Sequence, residues 1–162
     1  MTEVEALLAK YQSKGILIDT NIFLLYLFGT VNRERIAKFK RTNQFLPEDY
    51  DLLLQIVNGF KKVITTPNIM TEVNSLANQL GEPERSQCLN IFAVIITNIS
   101  EEYIDSSIVA QHSLFARFGL TDCGIMCVAK DKYLVLTDDL KLALYLQAQE
   151  IDSINFNNLR AL

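Results

Sequence analysis

The stretch Gly15-Ile16-Leu17-Ile18-Asp19-Thr20-Asn21 predicts a buried strand that ends at polar residues and passes directly into a helix. A continuous aliphatic run is typical of an interior strand in a parallel sheet. In an open α/β sheet, ligands bind beyond the carboxyl ends of the strands, so Asp19 falls where such a fold keeps its chemistry. Asp is also a good helix N-cap, and the sequence leaves that purely structural role for Asp19 equally open.

Length and composition indicate one globular domain that spans residues 1–162. The hydrophobic fraction of 49% and the charged fraction of 21% are those of a folded chain rather than a disordered one. The net charge of −4 argues against a strongly basic nucleic-acid platform, but it permits a divalent cation to join carboxylates to phosphates. No signal peptide or membrane-spanning run is evident, so we expect a cytoplasmic protein with no membrane partner.

The cysteines and the single histidine do not form a pattern with obvious chemistry. Cys88, Cys123 and Cys127 are odd in number and lack zinc-site spacing, which favours reduced thiols. His112 has no evident Ser or Cys partner and is interpreted as structural.

The alternation of strands and helices predicts a three-layer α/β/α sandwich with a mostly parallel central sheet. A second strand is predicted at 61–65, and Thr66-Pro67 is a favoured start for the helix that follows. A strand at 133–136 repeats the opening pattern, because it ends in Thr137-Asp138-Asp139. A last edge strand is predicted at 151–156.

Several boundaries rest on weaker signals. The helix after Asp19 is predicted to break at Gly29. A short strand is predicted at 103–104. The helix that begins at 106 should run to 118 and close at Gly119.

The basic segment 33–41 contains five cations. Most such runs are solvated helix faces. The alternative is that some of these cations contact phosphates beside an active site, in which case Arg33, Arg35 and Lys38 are the candidate RNA-binding residues.

Acids from four segments are predicted to face one cleft. Asp19 and Asp138-Asp139 follow strands that end at the same edge of the sheet, Glu72 flanks a buried helical stripe, and Asp122 lies on the core side of its helix. Two carboxylates about 4 Å apart repel by roughly 4 kcal/mol at an effective dielectric constant near 20. Mg²⁺ or Mn²⁺ would relieve that repulsion. A carboxylate-held metal pair suits hydrolysis of a nucleic-acid backbone.

The two adjacent acids after Thr137 receive different predicted roles. The helical period set by Leu140 and Ala143 places Asp138 at the N-cap. Asp139 then lies in the first turn and is free to point across the sheet edge toward Asp19.

The ordered acids resemble the PIN-domain nuclease family over nearly the whole chain. The resemblance rests on Leu17-Ile18-Asp19-Thr20-Asn21, Glu72, Thr121-Asp122 and Leu136-Thr137-Asp138-Asp139, in this order and in these helix or strand positions. It implies a PIN-like fold and a Mg²⁺- or Mn²⁺-dependent endoribonuclease. The implied catalytic and metal-binding acids are Asp19, Glu72, Asp122 and Asp139, with Asp138 as a further candidate ligand. Thr20, Asn21 and Thr137 are the implied supporting residues.

Within that family, the size of the chain is similar to that of the single-domain VapC-like toxins. Those proteins are inhibited by an antitoxin and often dimerise, so we expect an inhibitory protein and a homodimer in addition to an RNA substrate. The segment between Asp19 and Glu72 is longer than is usual in those toxins. The alternative function is a catalytically inactive PIN-like module that binds RNA or protein. A haloacid-dehalogenase phosphatase is disfavoured, because it needs a second Asp where this chain has Asn21.

Overall fold

A computed structural model describes residues 1–162 and confirms the three-layer α/β/α architecture. The five strands are β1 (Ile16–Ile18), β2 (Val63–Thr65), β3 (Ser100–Glu101), β4 (Leu134–Thr137) and β5 (Ser153–Asn155). Every pairing between them is parallel, and their order across the sheet is β3-β2-β1-β4-β5. The sheet is therefore wholly parallel, where the sequence predicted a mostly parallel one.

Helices cover both faces of the sheet. They are α1 (Glu3–Tyr11), α2 (Thr20–Asn32), α3 (Pro47–Asn58), α4 (Pro67–Ala77), α5 (Glu84–Asn98), α6 (Ser106–Val109), α7 (Phe115–Ala129), α8 (Leu140–Ala148) and α9 (Phe156–Arg160). Helix α2 contacts α3, α4 and α5, whereas α8 packs on β4 and β5. None of these helices combines the length and the apolar character needed to cross a bilayer.

The central strand β1 is the point where the chain changes direction across the sheet. From β1 the chain adds β2 and β3 on one side, and it then returns to add β4 and β5 on the other. Ile16 is accordingly paired with both Val63 and Leu134, and its side chain is fully buried. Such a reversal opens a crevice at the carboxyl ends of the two strands that flank it, here β1 and β4.

Two predicted boundaries agree with the structure. Thr66 caps α4 through its hydroxyl, which accepts a hydrogen bond from the amide of Ile69 at 3.2 Å, and Pro67 occupies the first turn. β5 lies at the edge of the sheet, as the sequence predicted. The cysteines form no disulfide, and burial raises the pKa of the Cys88 thiol to about 11.

Two other predicted elements are wrong. The strand predicted at 103–104 lies instead at Ser100–Glu101, because the chain pairs with β2 as soon as α5 ends. The helix predicted over 106–118 is interrupted after Val109, where the amide of Leu114 donates to Nδ1 of His112 at 3.1 Å. Within the basic segment, residues 33–38 form a 3₁₀ helix. The break at Gly119 is real, since φ there is +79° within α7.

Gly29 does not end α2, which continues to Asn32. Packing against another helix explains the glycine here, because a Cβ at Gly29 would lie 2.2 Å from Cδ2 of Tyr50. The Tyr50 ring cannot readily withdraw, since it is 9% exposed and its hydroxyl lies 2.9 Å from that of Thr30. Gly29 therefore leaves room for the Tyr50 ring of α3 to pack directly against α2.

We expect Gly29→Ala to lower the free energy of unfolding by roughly 1 kcal/mol. Overpacking costs about 1–3 kcal/mol, which exceeds the gain of about 1 kcal/mol in helix propensity. Urea denaturation measures the difference. Gly81→Ala is the control, because a Cβ there meets nothing within 4 Å, and it should change stability by less than about 0.5 kcal/mol. A Gly29→Ala protein as stable as wild type would contradict the contact with Tyr50.

Candidate functional site

A cavity of about 220 Å³ opens at the carboxyl ends of β1 and β4, where the chain reverses across the sheet. Its lining contains five carboxylates and no lysine, arginine or histidine. The lining residues are Asp19, Thr20, Asn21, Glu72, Leu76, Asp122, Asp138, Asp139 and Leu142. The structure thus brings together all the acids that the sequence singled out.

Asp19 is both a helix cap and a member of this cavity. One carboxylate oxygen accepts a hydrogen bond from the amide of Ile22 at 3.0 Å, and the other accepts from the Thr137 hydroxyl. Burial raises the pKa of Asp19 to about 7, and the negative charges of Asp138 and Asp122 act in the same direction. The hydrogen bonds from Thr137 and Ile22 act in the opposite direction, because they stabilise the charged carboxylate. Asp19 therefore caps α2 and lines the cavity with the same carboxylate.

Thr137 joins the ends of the two central strands. Its hydroxyl donates to Asp19 at the end of β1 and accepts from the amide of Asp139 at 3.0 Å. The second bond closes a turn of the kind that Ser and Thr side chains form with the amide two residues on. That turn delays the start of α8 by one residue.

The predicted roles of Asp138 and Asp139 are wrong for this reason. Asp139, not Asp138, is the N-cap of α8, and its carboxylate accepts from the amide of Leu142 at 3.0 Å. Asp138 instead faces the first turn of α2. Its carboxylate lies 3.3 Å from Nδ2 of Asn21, and it is the charged neighbour with the largest effect on the pKa of Asp19.

Asp122 and Glu72 complete the carboxylate set from the other side. Burial, together with the charges of Asp139 and Glu72, raises the pKa of Asp122 to about 6. Glu72 is exposed, but both of its oxygens are held. The Thr20 hydroxyl donates to one at 2.7 Å, and the Thr121 hydroxyl donates to the other at 2.6 Å.

The holding role of Thr121 was not predicted, although the sequence contains a signal for it. Each acid-bearing segment of the cavity except that of Glu72 has a threonine next to an aspartate: Asp19-Thr20, Thr121-Asp122 and Thr137-Asp138. All three threonine hydroxyls donate to a carboxylate of the cavity. A recurring hydroxyl beside a strand-end or helix-start acid is thus a usable marker for such a network.

The cations predicted to bind RNA do not line the cavity. The Arg33 guanidinium donates two hydrogen bonds to Asp51, at 2.9 and 2.6 Å, and one to Glu34. Arg35 pairs with Glu84. Of the three predicted residues, only Lys38 forms no ion pair.

The donor set of the cavity fits a hard divalent cation. Mg²⁺ and Mn²⁺ prefer carboxylate, hydroxyl and amide oxygens, and those groups are what the lining offers. As the side chains stand, no three acids, histidines or cysteines have the arrangement of a metal site. Each carboxylate oxygen that accepts a cap or hydroxyl bond keeps a further lone pair for a cation.

Comparisons with known proteins do not assign a family, because no family model matches the chain and no curated protein matches it significantly.

Alanine substitutions distinguish the cap from its neighbour. Asp139→Ala removes the N-cap of α8 and should lower the free energy of unfolding by about 1 kcal/mol, whereas Asp139→Asn should retain the cap. Asp138→Ala removes a charge that repels Asp19 and should leave the stability unchanged or higher. Urea unfolding near pH 8 measures all three. A larger loss for Asp138→Ala than for Asp139→Ala would place the start of α8 one residue earlier.

The raised pKa of Asp19 predicts a pH-dependent stability in chelator. A group that binds its proton more tightly in the folded state contributes stability that is complete below its ordinary pKa of 3.8 and is lost as the pH rises through about 7. Asp19→Asn stays neutral and keeps the cap. We expect the stability advantage of the variant over wild type to grow by more than about 1 kcal/mol between pH 5 and pH 8. Urea unfolding across this range measures the difference, and a constant difference would disagree with the burial of a titrating carboxyl.

Proposed function

We propose that this chain is a PIN-like endoribonuclease that depends on Mg²⁺ or Mn²⁺ and hydrolyses phosphodiester bonds of RNA. One observation carries the proposal: five carboxylates line a cavity of about 220 Å³ at the carboxyl ends of the central strands, with no basic side chain among them. Because that edge is where open α/β folds bind ligands, the cluster lies at a place suited to chemistry.

The carboxylates are more highly charged than structure alone requires. Asp19 and Asp139 cap helices, and Asn would cap equally well without a charge. Burial and mutual repulsion raise the pKa of both Asp19 and Asp122, so the folded chain holds these charges against an electrostatic penalty. A bound divalent cation would turn that penalty into attraction, which is why the arrangement favours metal chemistry over packing.

The residues that would hold the cation are Asp19, Asp122, Asp138 and Asp139, with Glu72 beside them. When bound, the cation supplies positive charge for the phosphate and makes a water molecule more acidic.

The chain itself fixes the orientation of the acids. Asp19 is held by Ile22 and Thr137, and Glu72 is held by two threonine hydroxyls. Such fixed charges need no reorganisation when the substrate reacts. Burial and neighbouring acids raise the pKa of Asp122 to about 6, and a cation bound beside it would lower that pKa by stabilising the charged form.

The resemblance to VapC-like toxins adds two partners to the proposal, an inhibitory protein and a second copy of the chain. An inhibitory protein would insert near the acids and neutralise them, with an arginine as the suitable side chain, and the nuclease would form a homodimer. The acid cavity offers electrostatic complementarity to such a partner. Both the partner and the dimer stay predictions.

Cleavage of labelled single-stranded RNA of mixed sequence tests the proposal. We expect the purified protein to cut it in Mg²⁺ or Mn²⁺ and to be silent in excess EDTA. Asp19→Asn should keep the α2 cap and the fold but lower the cleavage rate by at least about a hundredfold, since even the loss of a residue that only orients a metal ligand costs about 10–100-fold.

Asp105→Asn is the matched control for this variant. Asp105 is likewise an N-cap aspartate, accepting from the amide of Ser107 at 2.9 Å, but it caps α6 and does not line the cavity. Its substitution should leave cleavage unchanged. A wild-type protein that is inert with both metals would sink the nuclease proposal and favour the catalytically inactive module.

A further inference from the structure

An acid cavity repels the substrate that the proposed function requires. RNA carries one negative charge per phosphate, the cavity contributes five carboxylates, and the chain as a whole has a net charge of −4. Affinity for a nucleic-acid backbone comes chiefly from lysine and arginine side chains that neutralise phosphates. Cations close to the cavity but outside it are therefore needed to hold a strand there.

Three unpaired cations lie at the end of the 3₁₀ helix and directly after it. Lys38, Lys40 and Arg41 are exposed and form no ion pair, whereas Arg33 and Arg35, earlier in the same run, are neutralised by acids. No acidic residue occurs between positions 34 and 48. This stretch is consequently an uncompensated positive surface on an acidic protein.

The backbone that carries these cations is anchored on both sides. Phe39 is 7% exposed and packs edge-to-face on Phe28 at 5.1 Å, and Phe45 is fully buried against Phe156 at 6.0 Å. Between them, the buried hydroxyl of Thr42 donates to the carbonyl of Ile36 at 2.7 Å. Apolar side chains thus face the core while the charged ones between them face solvent.

The same segment also contacts residues at the edge of the acid cavity. The carbonyl of Gln44 accepts from Arg160 in α9 at 2.7 Å, and Asn157 in α9 donates to the carbonyl of Asp138 at 3.0 Å. The Gln44 side chain also approaches Asp138, where it opposes the rise in pKa that burial causes. The positive surface and the acid cavity are therefore connected through α9 on the Asp138 side.

We propose that Lys38, Lys40 and Arg41 form a phosphate-contacting rim that holds single-stranded RNA beside the acid cavity. The choice of RNA as the ligand rests on the proposed function, but binding by the rim does not depend on cleavage. The rim lies within the segment between Asp19 and Glu72 that is longer than usual, and it gives that segment a role. It also replaces Arg33 and Arg35 as the cations that contact the substrate.

Fluorescence anisotropy with a fluorescein-labelled single-stranded RNA of mixed sequence, in EDTA, measures binding without cleavage. We expect the triple variant Lys38→Gln, Lys40→Gln, Arg41→Gln to bind about tenfold more weakly than wild type near 50 mM salt. Log affinity falls as log salt rises, and each phosphate contact on a single strand adds about 0.7 to the steepness of that fall. Losing three contacts should therefore make the slope shallower by about 2.

The control is a second triple variant, Lys61→Gln, Lys130→Gln, Lys132→Gln, which removes the same charge. These lysines are exposed, form no ion pair and lie just before β2 and β4, at the opposite edge of the sheet from the cavity. This variant should bind RNA within about twofold of wild type.

The outcomes separate the rim from the proposed function. Equal weakening by both triple variants, or a wild-type protein that does not bind the RNA, would overturn the rim. A nuclease assay that fails while the rim variant alone loses affinity and salt slope would overturn the nuclease and leave the rim standing. If the wild type cleaves RNA and the rim variant binds RNA like wild type, the rim is overturned and the nuclease proposal stands.

Discussion

Helix N-termini at one edge of a parallel sheet need hydrogen-bond acceptors, and much of this structure follows from that constraint. In this fold a parallel strand is followed by a helix, and the first backbone amides of that helix have no acceptor within the helix. Here α2, α4, α8 and α9 begin at that edge, and their caps are Asp19, Thr66, Asp139 and Asn155. The positive ends of the helix dipoles also favour acids at these positions. Local capping and the carboxylate cluster are therefore two consequences of the same geometry.

The same geometry explains how much of the fold the sequence could predict. The run Ile16–Ile18 is apolar throughout because β1 is buried on both faces, and its abrupt end at Asp19 marks the functional edge. Strand ends and cap residues are local signals, so the sheet, its main helices and the acids that gather at its edge were accessible. Metal binding and RNA cleavage involve molecules other than the chain, and strand ends and cap residues do not encode them.

What the sequence could not predict depends on side chains that are distant along the chain or compete locally. Gly29 resembles a helix terminator until Tyr50 is packed against it. Arg33 resembles a free cation until Asp51 is placed beside it. The one-residue error at Asp138 and Asp139 has a local cause, because the hydroxyl of Thr137 captures an amide that helical periodicity would assign to the helix.

The two edges of the sheet carry a consequence for assembly. β3 contains only two residues, ends in Glu101 and is followed by Glu102, while the three residues of β5 are all buried. A long, open edge strand would be a template for another chain, and short or covered edges remove that template. Strand exchange and fibre-like stacking are thereby disfavoured, and encounters with other macromolecules are left to helical and loop surfaces.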